Sequence, residues 1–128
     1  MKIMYVCINV SATKIGERKG RENLYQCIRK YWELNGENLQ KAKQTDYVAG
    51  VFNGFIVDMF RPQKWDIVKN FSDMKDDDEV KKNHKYLSFY AFEGDPTGKD
   101  IPKEVKKAYC NKPYSKKFSK EIVYHFDF

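Results

Sequence analysis

A chain of 128 residues is near the commonest size for a single domain, so one core spanning the whole sequence is expected. Its longest apolar run, residues 3–10, is far too short to cross a bilayer, and the charged segment behind it has no small-residue cleavage pattern. A cytoplasmic protein is therefore expected, and a net charge of +6 with 16% aromatic residues predicts a basic, ring-rich surface.

Residues 2–10 form a β-rich run (Ile3, Tyr5, Val6, Ile8, Val10) that predicts a strand buried on both faces. Residues 11–20, with two glycines and four charged side chains, predict a loop. Over residues 21–34 the spacing of Leu24, Cys27, Ile28, Tyr31 and Leu34 makes one apolar stripe at helical period, and Asn35-Gly36 supplies residues that accept left-handed dihedrals at its end.

The clearest local signal follows. Residues 46–52 and 55–61 are strand-like runs separated by Asn53-Gly54, the dipeptide best suited to a type I′ hairpin turn. A two-residue loop sets Phe52 opposite Phe55, Val51 opposite Ile56, Ala49 opposite Asp58, Tyr47 opposite Phe60 and Asp46 opposite Arg61. Both faces are largely apolar, so the sheet is expected to be covered on both sides.

Pro62 ends the second strand and places Trp65 in a turn. Residues 69–85 are hydrophilic and read as a connection, residues 86–92 (YLSFYAF) as a strand, residues 102–109 as one or two helical turns opened by Pro102, and residues 121–128 as a final alternating strand. At least five strands and one main helix predict an α+β fold: a small, strongly curved antiparallel or mixed β-barrel with that helix packed outside.

The charge is unevenly distributed. Residues 1–65 carry eleven Lys and Arg against six acids, residues 66–84 six acids against four lysines, and residues 102–120 seven lysines against one glutamate. Basic zones flanking an acidic one suit a polyanion, or equally a solvated lysine-rich surface. Cys7, Cys27 and Cys110 are widely spaced and lie in no CxxC or Cys/His ligand pattern, so free thiols in a reducing compartment are expected.

Several stretches taken in order, INVSATKIG (8–16), YQCIRKYWELN (25–35), YVAGVFNGFIVDMFRPQKW (47–65), FEGD (92–95) and NKPYSKKF (111–118), resemble a family of uncharacterised bacterial domains with a PUA-like β-barrel, sometimes found beside restriction-type nucleases. They cover a little under half of the chain. PUA-like barrels, with their EVE, ASCH and YTH relatives, commonly bind RNA or a modified base in a surface pocket. The resemblance therefore implies nucleic-acid binding, with no pocket motif to name the ligand.

The residues that suit such a ligand each have a structural alternative. Arg29 and Trp32, three apart on the predicted helix, can grip a phosphate and stack a base, or Trp32 can complete the core with the Arg29 stem packed across it. Asp58, beside Tyr47 and Phe60 in the expected register, can accept from a base amino group or pair with a nearby cation. Trp65 can stack a base or plug the end of the barrel. Lys112, Lys116 and Lys117, within a segment that interleaves lysines with Tyr109, Tyr114 and Phe118, can neutralise phosphates while the rings stack bases, or form a solvated loop.

Catalytic signals are sparse. His84 and His125 have no Cys, Asp or Glu at metal-ligand spacing, and no GxGxxG, P-loop, HExxH or GxSxG occurs. GERKG (16–20) before a helix is a weak phosphate-loop candidate, and the acids at 76–79 read as solvated loop. The leading expectation is a nucleic-acid-binding module for RNA or DNA, without cofactor or metal and with an open oligomeric state. An enzyme acting on nucleic acid or a small anionic substrate through Asp58 with Glu93 or Asp95, and a protein-interaction subunit of a restriction or toxin–antitoxin system presenting Phe118, Phe126 or Phe128, are the alternatives.

Overall fold

The computed structural model describes residues 1–8, 23–67 and 89–128. The expected loop at 11–20, GERKG, the acids at 76–79 and His84 lie outside these residues. The described elements are β1 (Ile3–Cys7), α1 (Leu24–Arg29), β2 (Trp32–Glu33), α2 (Glu37–Gln44), β3 (Tyr47–Phe52), β4 (Phe55–Phe60), β5 (Lys64–Ile67), β6 (Phe89–Glu93), α3 (Lys103–Tyr109) and β7 (Tyr124–Asp127).

The fold is α+β, with a four-stranded mixed sheet in the order β4-β3-β1-β7 and a three-stranded antiparallel sheet in the order β2-β6-β5. In the larger sheet β1 and β3 are parallel, and their crossover carries α1, β2 and α2. The strands expected to close a barrel are thus divided between two sheets among the described residues; the helical turns predicted over 102–109 form as α3, and α2 adds a helix to the main one predicted. No helix among these residues is long and apolar enough to cross a membrane.

Strand periodicity explains the two cores. Along β1, Met4, Val6 and the following Ile8 enter the core between the sheets, while Ile3 and Tyr5 face the other way. Val48 and Phe60 join the inter-sheet core with Tyr25, Ile28, Trp32 and Phe92. Tyr47, Ala49, Val51, Ile56 and Met59 line the opposite face with Ile101. The sheet is therefore buried on both sides, as its apolar runs predict.

The hairpin forms where Asn53-Gly54 puts it, both residues having positive φ (53° and 84°), as a type I′ turn needs. Its register matches the expected one only as far as Val51 opposite Ile56. A bulge at Val57 then sets Gly50 opposite Asp58, Ala49 opposite Met59 and Val48 opposite Phe60. Tyr47 and Phe60, expected on one face, consequently lie in different cores.

The predicted helix over 21–34 is also shorter than its apolar stripe. Asn23 caps α1, its side chain accepting from the Gln26 N–H at 2.9 Å, but α1 ends at Arg29 and Lys30 is already extended. Trp32 and Leu34 are buried and Glu33 exposed, a strand alternation that pairs β2 with β6. The indole N–H of Trp32 donates to the Ile28 carbonyl at 2.8 Å, satisfying one of the orphan acceptors at the end of α1. Gly36, expected to close this helix, has φ 47° and instead precedes α2. Trp65, expected in a turn, lies in β5 and meets Phe92 edge-on at 5.2 Å.

Candidate nucleic-acid interface

The outer face of the larger sheet is covered by one continuous segment that runs from the turn at 95–98 through α3 to Phe118. The turn is closed by Asp95, whose carboxylate accepts from the Thr97 N–H at 2.9 Å and from the Thr97 hydroxyl at 2.7 Å. Those bonds hold the Asp95 carboxyl below its ordinary pKa. Ile101 then anchors the chain in the core under α3, where Val105 and Tyr109, four apart, pack inward. The same period puts Lys103 and Lys107 on the exposed side of α3.

After α3, Asn111 takes a left-handed φ of 63° and the chain turns along the free edge of β4. Asn111 N–H donates to the Ile56 carbonyl at 2.7 Å, Ile56 N–H to the Lys112 carbonyl at 3.0 Å, and Tyr114 N–H to the Gly54 carbonyl at 2.7 Å. This strap blunts a sheet edge that would otherwise be open. It also delivers Tyr114 onto Tyr5 of β1, the two rings stacked at 4.4 Å, and Phe118 onto His125 of β7, stacked at 4.6 Å. The Tyr114 hydroxyl is 3.0 Å from His125 Nδ1.

Burial governs the electrostatics of this cluster. It pushes the hydroxyls of Tyr5 and Tyr114 up to about 12, with the Asp127 carboxylate adding to the effect. Burial also lowers His125 below the ordinary imidazole value, and the Lys116 ammonium lowers it further. The imidazole is accordingly neutral near pH 7, when its Nδ1 can accept from the Tyr114 hydroxyl.

The rings of the strap are thus committed to contacts within the protein, and its cations point the other way. Lys112, Lys116 and Lys117 are exposed, as are Lys99, Lys103, Lys107 and Lys120. Among the described residues none of these seven forms an ion pair; the eighth lysine of the layer, Lys106, lies 3.8 Å from the Asp58 carboxylate. Residues 96–120 hold eight lysines against two acids, a surplus of six, which is the net charge of the entire chain. The other residues of the protein sum to zero.

The structure separates the residues that the sequence put forward. Lys112, Lys116 and Lys117 share the strap. Tyr47 and Asp58 lie beside the same layer in structural roles: Tyr47 is 6% exposed, with its hydroxyl accepting from Arg61 at 3.2 Å and the guanidinium over its ring at 5.2 Å. Arg61 is in turn 4.0 Å from Asp100, and Asp58 accepts from the Met59 N–H as well as facing Lys106. Arg29, Trp32 and Trp65 are on the inter-sheet side. Arg29 donates to the Phe92 carbonyl at 2.9 Å, Trp32 is 6% exposed, and Trp65 is half-buried against Phe92. Trp32 fills the inter-sheet core, while Trp65 lies in a strand rather than at a barrel end.

The remaining acids considered for chemistry also have partners, Glu93 meeting Lys64 at 3.5 Å and Asp95 binding Thr97. No cluster of His, Cys, Asp or Glu suited to a metal ion occurs among the described residues. The sequence pattern did not reveal Tyr5 and His125 as partners of the strap rings. Their position directly across from one another on β1 and β7 is a tertiary fact that alternation within either strand does not carry. Comparison of the chain with protein-family models, curated proteins and solved structures gives no significant match.

Proposed function

We propose that this protein is a nucleic-acid-binding module that grips the phosphate backbone with the lysines on the outer side of α3 and the strap. The observation that carries this reading is the placement of charge. Residues 96–120, most of which cover one sheet face, carry six surplus positive charges, and the charges of all other residues cancel. Phosphate contacts of this kind supply affinity and register without reading sequence.

The inward direction of Tyr114 and Phe118 supports backbone contact over base stacking, because Tyr114 stacks against both Tyr5 and Phe118, and Phe118 against both Tyr114 and His125. The resemblance to PUA-like domains supports nucleic acid as the ligand class and a PUA-like origin for the fold. The single-base pocket such domains carry draws no support from Trp32 or Tyr47, both of which are consumed in structural contacts. An enzymatic reading is less well supported, since Asp58, Glu93 and Asp95 each have a neutralising or hydrogen-bonding partner.

Titration of duplex and single-stranded oligonucleotides over a salt series tests the proposal. Replacing Lys112, Lys116 and Lys117 with Gln should reduce the steepness of log K against log[salt] by about 2 to 3, at roughly 0.7 to 0.9 for each phosphate no longer neutralised. A control triple at Lys41, Lys43 and Lys64, which removes the same charge elsewhere, should leave the slope nearly unchanged. Absence of binding at low salt, or equal reductions from the two triples, would refute the assignment.

A further inference from the structure

The ring cluster beneath the strap leaves one polar edge open. His125 is partly exposed, with Phe118 stacked on its ring at 4.6 Å and the Tyr114 hydroxyl 3.0 Å from Nδ1. Its Nε2 has no protein hydrogen-bond partner among the described residues. The buried side-chain polar atoms in that position are Trp65 Nε1 and one Asp100 carboxylate oxygen, so Nε2 is open to solvent. The strap presents to the ring the Tyr114 hydroxyl and the Lys116 ammonium. β1 presents Tyr5 directly opposite, with Cys7 two residues along the same face, and Tyr109 of α3 is close enough to Tyr5 to act on it. β7 itself adds Asp127, two residues from His125. Phenols and a thiol are uncharged at neutral pH, so Lys116 and Asp127 are the charges of this group.

We propose, on the footing that the lysine layer is the phosphate surface, that His125 is part of it: a backbone phosphate seated on Lys116 also meets Nε2 of His125, which takes up a proton from solvent as the nucleic acid binds. The Tyr114 hydroxyl serves both states of the ring. While the imidazole is neutral the hydroxyl donates to Nδ1, which puts the ring's own hydrogen on Nε2. Once Nδ1 is protonated the hydroxyl oxygen accepts from it, and Nε2–H makes a charge-assisted bond to the phosphate. No hydrogen bond is lost in either state, so the stack on Phe118 need not open. In the free protein, burial and the Lys116 ammonium oppose the imidazolium. A phosphate offsets Lys116 and supplies a counter-charge. By reciprocity the proton then strengthens phosphate binding by the factor with which phosphate strengthens proton binding. Affinity accordingly rises as the pH falls through the imidazole range, beginning at the value of the bound state and complete below that of the free one.

Binding of oligothymidylate at fixed salt tests the role of His125, since its bases and phosphodiesters keep constant charge between about pH 6 and pH 8. The Kd should fall about three- to tenfold from pH 8 to pH 6. His125→Gln should remove most of that change, and His84→Gln, at the chain's other histidine, should keep it. Calorimetry of the unmodified chain in buffers of different ionisation enthalpy needs no variant to fold, and should show net uptake of up to about one proton near pH 7. A Kd that ignores pH, zero net uptake, or a pH dependence that His125→Gln leaves whole would overturn the role of His125. In each of those cases, binding with the salt slope expected of the lysines would leave the phosphate surface standing. No binding at low salt at either pH would overturn both.

Discussion

Gly50 lies where α1 crosses the centre of the larger sheet, and its replacement by Ala tests the packing of that crossing. A Cβ added there would be 2.5 Å from both Cδ1 and Cγ1 of Ile28, against roughly 3.5–4.0 Å for relaxed carbon contacts. Ile28 is fully buried and packed among Tyr25, Trp32 and Val48, so its side chain has little room to withdraw. Overpacking of this size costs about 1–3 kcal/mol, and Ala returns about 0.4–1 kcal/mol by restricting the unfolded chain, since Gly50 holds no left-handed φ. A net loss of about 1–2 kcal/mol should appear as a lower urea midpoint with an unchanged m-value. Ile28→Val removes Cδ1, and alone should cost about 0.5–1.5 kcal/mol. Combined with Gly50→Ala it should cost less than the sum, with a coupling of about 1 kcal/mol. If Gly50→Ala is neutral, or the two changes are additive, α1 does not meet β3 at this close approach.

Further expectations follow from the same packing. Trp32→Phe should lower stability by about 1–3 kcal/mol through loss of the indole bond to Ile28 and of packing volume, yet leave oligonucleotide affinity unchanged; a selective loss of binding would restore Trp32 as a base-stacking residue. Tyr5 and Tyr114 keep their protons in the folded protein to about pH 12, whereas the unfolded chain ionises near the ordinary value, about 10. Stability from these two groups is present below pH 10 and lost as the pH rises from there toward 12, and ultraviolet titration should show tyrosines that ionise late; Tyr114→Phe should shrink that late phase. His125 is lowered, so below about pH 6.5 the unfolded chain binds more protons than the folded one and stability falls with acidification. His125→Gln should flatten that acid slope in pH-dependent urea unfolding, and an unaltered slope would place the titrating group elsewhere.

Local chemistry made parts of this fold legible. Asn53-Gly54 dictates its turn through dihedrals alone, and the double-sided burial of the hairpin follows from apolar residues on both faces. That same double-sided pattern hid the bulge, because an extra residue at Val57 breaks no alternation when both faces are apolar. The helix over-extended past Arg29 since Tyr31 and Leu34 fit a helical stripe as well as Trp32 and Leu34 fit a strand, and pairing with β6 decides between them. α2 went unseen because its inward face is little more than Leu39 and Ala42. At the candidate interface the mixture of lysines and rings was visible, but which of the two would face outward depended on Tyr5 and His125, brought under the strap by strands more than a hundred residues apart.

That separation bears on how the molecule assembles. β1 is flanked by β3, over forty residues downstream, and by β7, whose His125 sits opposite Tyr5. This inner strand therefore has no partner close by in the chain, and its closure entropy must be met before either ladder contributes. Folding should be slow for a chain of this length, on the order of milliseconds to seconds. On the ribosome, the Asn-Gly hairpin can form early, while β1 must wait with one edge unsatisfied until β7 has emerged from the exit tunnel.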